Sequence, residues 1–477
     1  PGGHIRRRAG AGASRLRSRR DPGRACAAGS GRGGLGQLQP YYDPEIETMP
    51  RPQLEALQLE RLKAQVERVY HTSPFYRRKF DAAGVKPEDI RTLEDIRRFP
   101  FVTKDELRRA QEQAGVFGGY ACAPPSDWRE LHPSSGTTGR SVYTLWTARD
   151  VENITDFTAR LLWGQGVRPG QTLQNGFSYG LWVAGLAVHY AAGKLGCFVL
   201  PIGATQSGRQ LDLFLEWKPE VFFSTPSFAM YLIEKMQERG MTGDQLALRI
   251  GSFGGEAGAE VPSTRQRLEA GLGIEAYDLY GLAEIGPTMA AECTHKAGLH
   301  WTEDHHLVEV VDPQTKEPVP EGEEGVLVIT HLTREGTPMI RYWTNDICRL
   351  TRERCACGRT HARSPGGILG RADDMIIYKG VNFYPVQVEN AVRGMPEFAN
   401  EFRIRLERTA SGRDVCTLVV EPSGSTEQAL QARDRLAARV REALGVGLEI
   451  EVVAPNTLER TEFKARRVLD LRPRAAS

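Results

Sequence analysis

After Ser134 short apolar runs alternate with amphipathic helical stretches, and this alternation constrains the fold more than any other feature. CFVLPIG (197–203), VFFSTP (221–226) and LRIGSFGG (248–255) are strand-like, and MYLIEKMQERG between the last two has helical spacing. Strands separated by helices build parallel βαβ units, so a largely parallel sheet is predicted for the middle of the chain. Upstream, Leu54, Leu57, Leu59, Leu62, Val66 and Val69 keep helical spacing through an opening that runs from Pro52 to Ala82. TKDELRRAQEQ predicts a further helix, with Thr103 as N-cap and Glu106 as its capping-box partner. From about residue 305, LVEVVDPQTKEPVPEGEEGVLVIT changes the pattern to strand–turn–strand. Residues 374–477 read as hairpin, helix and strand, which suits a small α+β domain.

Composition narrows the classes. The 477 residues are 40% hydrophobic and 26% charged, which excludes a disordered, collagenous or wholly membrane-embedded chain. GLWVAGLAVHYAAG (180–193) falls short of the roughly 20 apolar residues of a membrane span and carries His189 and Tyr190, so no membrane partner is expected. Eight cysteines are too sparse for a disulfide scaffold, and a reducing cytoplasm is the expected location. Residues 1–40 hold nine arginines, ten glycines and one acid, Asp21, with almost nothing to bury. This tail reads as disordered, outside the fold, and consistent with an artefact of the chosen start site. A transit-peptide or nucleic-acid role would rest on the tail alone, and no nucleic-acid partner is expected.

Four constellations carry candidate chemistry. Ser134, Ser135, Gly136, Thr137, Thr138 and Gly139 form a Ser/Thr/Gly run whose backbone N–H groups and hydroxyls suit a phosphate. It is not a Walker loop, because Arg140 stands where a lysine would be required; an ordinary loop is the competing reading. Cys293 and His300 precede Cys355 and Cys357, and the two pairs supply the four N/S ligands of a closed structural Zn²⁺ site. His295 competes with His300, and four reduced, unliganded side chains are the alternative. Phe177, Tyr179 and Trp182 cluster within six residues, either as core or as a platform for a flat ring. Lys464 lies with Arg460, Arg466 and Arg467 in a basic run that could simply be a solvated face.

SSGTTGR, YDLYGLAE (277–284), IRYWTND (340–346), GRADDMIIYKG (370–380) and ERTEFKARR (459–467), in that order, resemble the acyl-adenylate-forming superfamily. Within it the sequence is similar to the phenylacetate–CoA ligase family, from about Tyr41 to about Arg472. The resemblance implies an α/β fold: a large N-terminal domain (41–372) with mostly parallel sheets, helices and a β-rich subdomain, then a small mobile α+β domain (373–477). It implies that Ser134 to Gly139 wrap the β- and γ-phosphates of ATP, and that Gly255, Glu256 and Ala257 border the adenine and the acyl pocket. Asp278 would accept from the adenine amino group, Tyr280 would pack on the ring, and Glu284 would hold Mg²⁺. Asp346 would grip the ribose, Arg371 would add a ribose or phosphate contact, and Asp373 would be the interdomain hinge. Phe177, Tyr179 and Trp182 would line the acid pocket, and Lys464 would be the catalytic lysine of the first step.

The implied activity is ATP-dependent ligation of an aromatic carboxylic acid, phenylacetate or a relative, to coenzyme A, with release of AMP and pyrophosphate. Two alternatives remain: an adenylating enzyme that does not use free coenzyme A, resembling coenzyme F390 synthetase or loading a carrier protein, and a non-catalytic nucleotide-binding regulator. The chain departs from the family pattern at Ala283, Trp343, Asn345 and Phe463. A homodimer is compatible with the sequence and not specified by it.

Overall fold

The computed structural model describes residues 39–134, 141–204, 206–409, 413–460 and 467–472. The tail through residue 38, Ser135, Gly136, Thr137, Thr138, Gly139 and Lys464 lie outside the described residues.

The predicted sheet is present. Eight strands lie side by side in the order Arg363–Ser364, Leu299–Trp301, Gly286–Ala291, Glu275–Leu282, Ile250–Gly254, Val221–Ser224, Thr172–Asn175 and Phe198–Leu200. The five from Glu275–Leu282 to Phe198–Leu200 run parallel, and the other three join antiparallel. Val221 and Phe223 pack with Leu162 and Val188 of the helices Ala148–Gly164 and Val183–Lys194. Phe222 packs instead with Phe214, Phe228 and Leu268 of the helices Ser207–Glu216, Pro226–Glu238 and Pro262–Leu272. Helices covering both faces are the physical reason that VFFS is apolar without alternation.

The helical opening breaks in two, Arg51–Thr72 and Pro74–Ala83. Pro74 cannot donate to the first helix, and Ser73 Oγ starts the second by accepting the Tyr76 N–H at 3.2 Å. Leu62, Val66 and Val69 join Tyr76 and Phe80 in one core with Leu327, Ile329, Met339 and Ile340. The helix Lys104–Ala114 begins with the predicted box. Thr103 Oγ1 accepts the Glu106 N–H at 3.3 Å and Glu106 Oε2 accepts the Thr103 N–H at 2.9 Å.

Beyond residue 305 lies an antiparallel four-stranded sheet, His306–Val311, Gly325–His331, Tyr342–Cys348 and Gly370–Arg371. A separate hairpin pairs Trp128–Pro133 with Tyr143–Thr147. The C-terminal part has its own core, running from Ile376 to Leu448. Its long strands Phe398–Arg408 and Asp414–Pro422 pair antiparallel, with Val468–Asp470 and Glu449–Val452 added in parallel on either side. Helices Pro385–Arg393 and Thr426–Leu444 bury Val388, Val392, Leu436 and Val440 in that core. Among the described residues no helix is long and apolar enough to cross a membrane.

Candidate active site

The hairpin of Trp128–Pro133 and Tyr143–Thr147 carries Ser134 at the end of its first strand, and Ser135 to Gly139 follow outside the described residues. Ser134 closes its neck: the Ser134 N–H donates to Val142 O at 2.7 Å, and the Val142 N–H donates to Ser134 Oγ at 3.0 Å. Gln111 fastens this neck to the helix Lys104–Ala114 by donating to Ser141 O and accepting from the Tyr143 N–H, both at 3.0 Å.

Glu284 lies in the turn between Glu275–Leu282 and Gly286–Ala291 and is only 4% exposed. Its carboxylate is paired with Lys104 Nζ at 2.7 Å. The turn is braced from behind. His331 Nε2 donates to Ile285 O at 2.7 Å, and Arg334 donates to the same oxygen at 2.6 Å. The Met339 N–H donates to His331 Nδ1 at 2.9 Å, which leaves the ring hydrogen on Nε2. Burial, with Arg334 and His306 next to it, drives the His331 pKa well below its ordinary value and keeps the ring neutral. At Ala283 the backbone oxygen accepts from Thr144 Oγ1 at 3.2 Å.

Asp346 joins two sheets. Tyr280, on the parallel sheet, donates its hydroxyl to Asp346 Oδ2 at 2.5 Å, and Arg371 donates to Oδ1 at 2.9 Å from the neighbouring antiparallel strand. Arg371 also forks onto Asp373, at 2.9 Å to each oxygen. Asn345 has φ 66° and accepts the Trp343 indole N–H at 2.7 Å, so these two departures from the family pattern are paired with each other. The Tyr280 ring meets Trp301 edge-on and is mostly buried.

Behind this strand Asp278 is buried beside Glu292, whose carboxylate accepts the Asp278 N–H at 2.9 Å and, through both oxygens, Arg265 Nη2 at 2.8 Å. Burial, then the Glu292 charge, pushes the Asp278 carboxyl up to about 8. In SFGGEAG the glycines are required by close approach. A Cβ on Gly254 would lie 2.2 Å from Leu279 O, and Gly255 (φ +88°) faces Trp182 at 3.2 Å. Glu256 caps the helix Pro226–Glu238 by accepting the Ser227 N–H at 2.8 Å.

Of the three aromatics, Phe177 is core, packed on Phe223 and edge-on to Trp182. Tyr179 and Trp182 keep exposed surface. The Tyr179 hydroxyl accepts from Asn175 Nδ2 at 2.8 Å and lies 3.2 Å from His189 Nδ1.

Lys464 lies outside the described residues, but both flanks of its segment are held. Arg460 pairs with Glu421 at 2.7 Å and reaches Glu234 of the helix Pro226–Glu238 at 3.8 Å, and Arg467 pairs with Glu401 at 2.8 Å.

The cysteine pairs converge. One donor atom from each of Cys293, His300, Cys355 and Cys357 lies within 4.8 Å of the others. Cys293 Sγ and Cys355 Sγ are 3.9 Å apart, near the roughly 3.7 Å that two thiolates span on a tetrahedral ion with bonds of about 2.3 Å. His300 turns Nε2 toward Cys357 Sγ at 3.7 Å. Donor number, type and spacing therefore fit a closed zinc site. Tyr41 braces the knuckle by donating to Cys357 O at 3.0 Å, and Glu47 pairs with Arg359 at 2.6 Å.

Sequence reasoning missed Lys104, His331 and Arg334. Thr103 and Glu106 of the capping box signalled a helix start, but nothing local marked the neighbouring lysine as the partner of a carboxylate 180 positions away.

Comparison with known proteins matches the same elements. The sequence family described as AMP-binding enzyme matches residues 60–333, and the AMP-binding enzyme C-terminal domain matches residues 380–472. A phenylacetate–coenzyme A ligase of Thermus thermophilus is 42% identical over 450 residues, covering 90% of this chain and 99% of its own length. The solved structure of 2-hydroxyisobutyryl-CoA ligase in the postadenylation state superposes with a TM-score of 0.86 at 35% identity, covering 92% of this chain and 94% of that one. The same ligase in its thioesterification state, with coenzyme A, gives a TM-score of 0.69 at the same identity and coverage. With sequence and coverage equal, the difference lies in arrangement, and this chain is arranged like the postadenylation state.

Proposed function

The chain belongs to the AMP-binding enzymes, in the phenylacetate–coenzyme A ligase family of AMP-forming acid–CoA ligases, and from that premise we propose its substrate and the division of labour in its site. The substrate is an aromatic carboxylic acid of the phenylacetate class. Its carboxylate attacks the α-phosphorus of ATP and displaces pyrophosphate, and the coenzyme A thiol then attacks the acyl carbon and displaces AMP. Activation as the mixed anhydride replaces a poor leaving group, hydroxide, with a good one.

The observation that carries this reading is the convergence of Tyr280, Asp346 and Arg371 beside the braced Glu284 turn and the neck of the Ser134–Gly139 segment. Asp346, a two-oxygen acceptor, takes the ribose hydroxyls. Arg371 orients it, and would exchange part of its fork on Asp373 for a phosphate or sugar contact. Ser134 to Gly139 offer backbone N–H groups and hydroxyls to the β- and γ-phosphates. Gly255, Glu256 and Ala257 border adenine and acid, with Asp278 reading the adenine amino group and Tyr280 bounding the ring. Glu284 would hold Mg²⁺ by exchanging its Lys104 partner for the ion, which would offset charge on the phosphates. Lys464 contributes a compact cation where charge grows on the α-phosphoryl oxygens. Asp373, at the start of the small domain (373–477), is the hinge. Cys293, His300, Cys355 and Cys357 hold a structural zinc that braces the loops behind Trp301.

A second substrate reading has its own support. Trp182 stands 3.2 Å from the Cβ position of Gly255, which narrows the acid pocket and favours a small branched acid such as the 2-hydroxyisobutyrate named for the solved ligase above. An ATP–pyrophosphate exchange screen over aryl and short branched acids separates the two, and consumption of free coenzyme A separates a ligase from a carrier-loading enzyme. Absence of exchange with every acid would overturn the catalytic reading in favour of a nucleotide-binding regulator.

A further inference from the structure

Arg267, on the large-domain helix Pro262–Leu272, places its whole guanidinium on the C-terminal part of the chain. Nε donates to Arg393 O at 2.7 Å, Nη1 to Asn400 Oδ1 at 2.7 Å, and Nη2 to Met395 O at 2.7 Å and Phe398 O at 3.1 Å. Three of these acceptors are main-chain carbonyls in the connection between the helix Pro385–Arg393 and the strand Phe398–Arg408. A planar fork filled this completely fixes orientation as well as distance, which a flexible ammonium could not do.

The contacts around it are polar as well. Arg393 donates to Thr264 Oγ1 at 2.8 Å and pairs with Glu389. The Asn400 amide, held on one side by Arg267, donates to Glu234 on the other at 3.2 Å. Glu234 is also the carboxylate that Arg460 approaches just before the Lys464 segment. One chain of contacts thus runs from Arg267 through Asn400 and Glu234 to the flank of that segment. An interface built from hydrogen bonds and ion pairs can be left and remade, because water replaces its partners when the surfaces part.

We propose that Arg267 is a positioning residue that latches the small domain in the arrangement used for acyl-adenylate formation, and that all four hydrogen bonds must break before thioester formation. The inference rests on the two-step reading above. It is consistent with the closer superposition on the postadenylation state of the solved ligase than on its thioesterification state. Burial, with Arg393 next to it, lowers the Arg267 pKa to about 10, so the latch stays cationic at neutral pH.

The test compares the full-length protein with R267A and R267K in three measurements. ATP–pyrophosphate exchange should fall about tenfold to a hundredfold in R267A, the range expected for loss of charge-assisted bonds. R267K, unable to span four acceptors, should lie between. Conversion of separately prepared acyl-adenylate and coenzyme A to thioester should stay within about twofold, since that step starts from the released arrangement. Small-angle scattering without substrates should move away from the profile calculated for the latched arrangement. Parallel loss in both half-reactions, or an unchanged scattering profile, would overturn the proposal. If R267A does not fold, R267K carries the same comparison. If wild-type protein exchanges with no acid, the two-step reading has failed, and the scattering comparison still decides whether Arg267 holds the domains.

Discussion

Tyr280 donates its hydroxyl to Asp346 Oδ2 at 2.5 Å, so the strand Glu275–Leu282 is tied to the antiparallel sheet through one carboxylate. The bond lies in the interior and keeps the Tyr280 hydroxyl protonated, its pKa driven far up by burial and by the Asp346 charge. If that carboxylate also receives the ribose, Asp346→Ala removes two sugar contacts together with its structural partners. The KM for ATP in pyrophosphate exchange should rise about tenfold to a hundredfold, and the thermal midpoint should fall. An unchanged KM would remove Asp346 from the nucleotide site.

Lys464→Ala should nearly abolish adenylate formation while leaving thioester formation from supplied acyl-adenylate largely intact. In the proposed role the lysine acts where charge accumulates on the α-phosphoryl group, whereas the second half-reaction would proceed at the acyl carbon. Stopped half-reactions with acid plus ATP, and with adenylate plus coenzyme A, measure the two separately. Equal loss in both would assign the residue a structural role.

Cys355→Ser and Cys357→Ser should each release zinc and lower thermal stability, with a smaller effect on turnover of the enzyme that remains folded. Tyr41 donates to Cys357 O, and Trp301, next to His300, meets the Tyr280 ring, so loss of the cluster should reach Tyr280 through Trp301. Elemental analysis of the purified protein provides the check. Protein free of stoichiometric zinc, with all four side chains open to thiol and imidazole reagents, contradicts the assignment.

Stability should fall on the acid side. Burial, with His305 and Arg334 nearby, lowers the His306 pKa from 6.5 to about 3. Between those values the unfolded chain binds a proton that the folded ring refuses. The contribution is therefore intact above about pH 6.5 and is lost as pH falls toward 3. Urea unfolding of His306→Gln across this window should show a shallower acid limb than wild type. Identical slopes would mean that His306 titrates normally in the folded protein.

What the sequence disclosed depended on whether a residue's signal is local. VFFS and RIGSFG were legible as strands because burial on both faces removes all polar alternation, and Thr103 with Glu106 was legible because a capping box spans only four residues. The cysteine pairs were legible because few other chemistries need three thiols and an imidazole. Phe177 illustrates the limit. Three aromatics in six residues carry no sign of which one turns inward, and the structure puts Phe177 against Phe223 while Tyr179 and Trp182 keep surface. Arg267, Lys104 and His331 were silent because an arginine, a lysine or a histidine acquires meaning only from an acceptor brought near by the rest of the fold.

The bonds from Glu47 to Arg359 and from Arg51 to Glu303 and Thr360 join the first described helices to residues made much later. At ribosomal rates of about 5–20 residues per second, Glu47 waits on the order of 15–60 s for Arg359 to be synthesised. Until the strand Gly325–His331 has been made, Leu62, Val66 and Val69 lack the Leu327 and Ile329 side chains that will cover them. Newly made chains are thus open to aggregation and to chaperone capture at their leading end, and production at lower temperature or slower translation should trade yield against this delay.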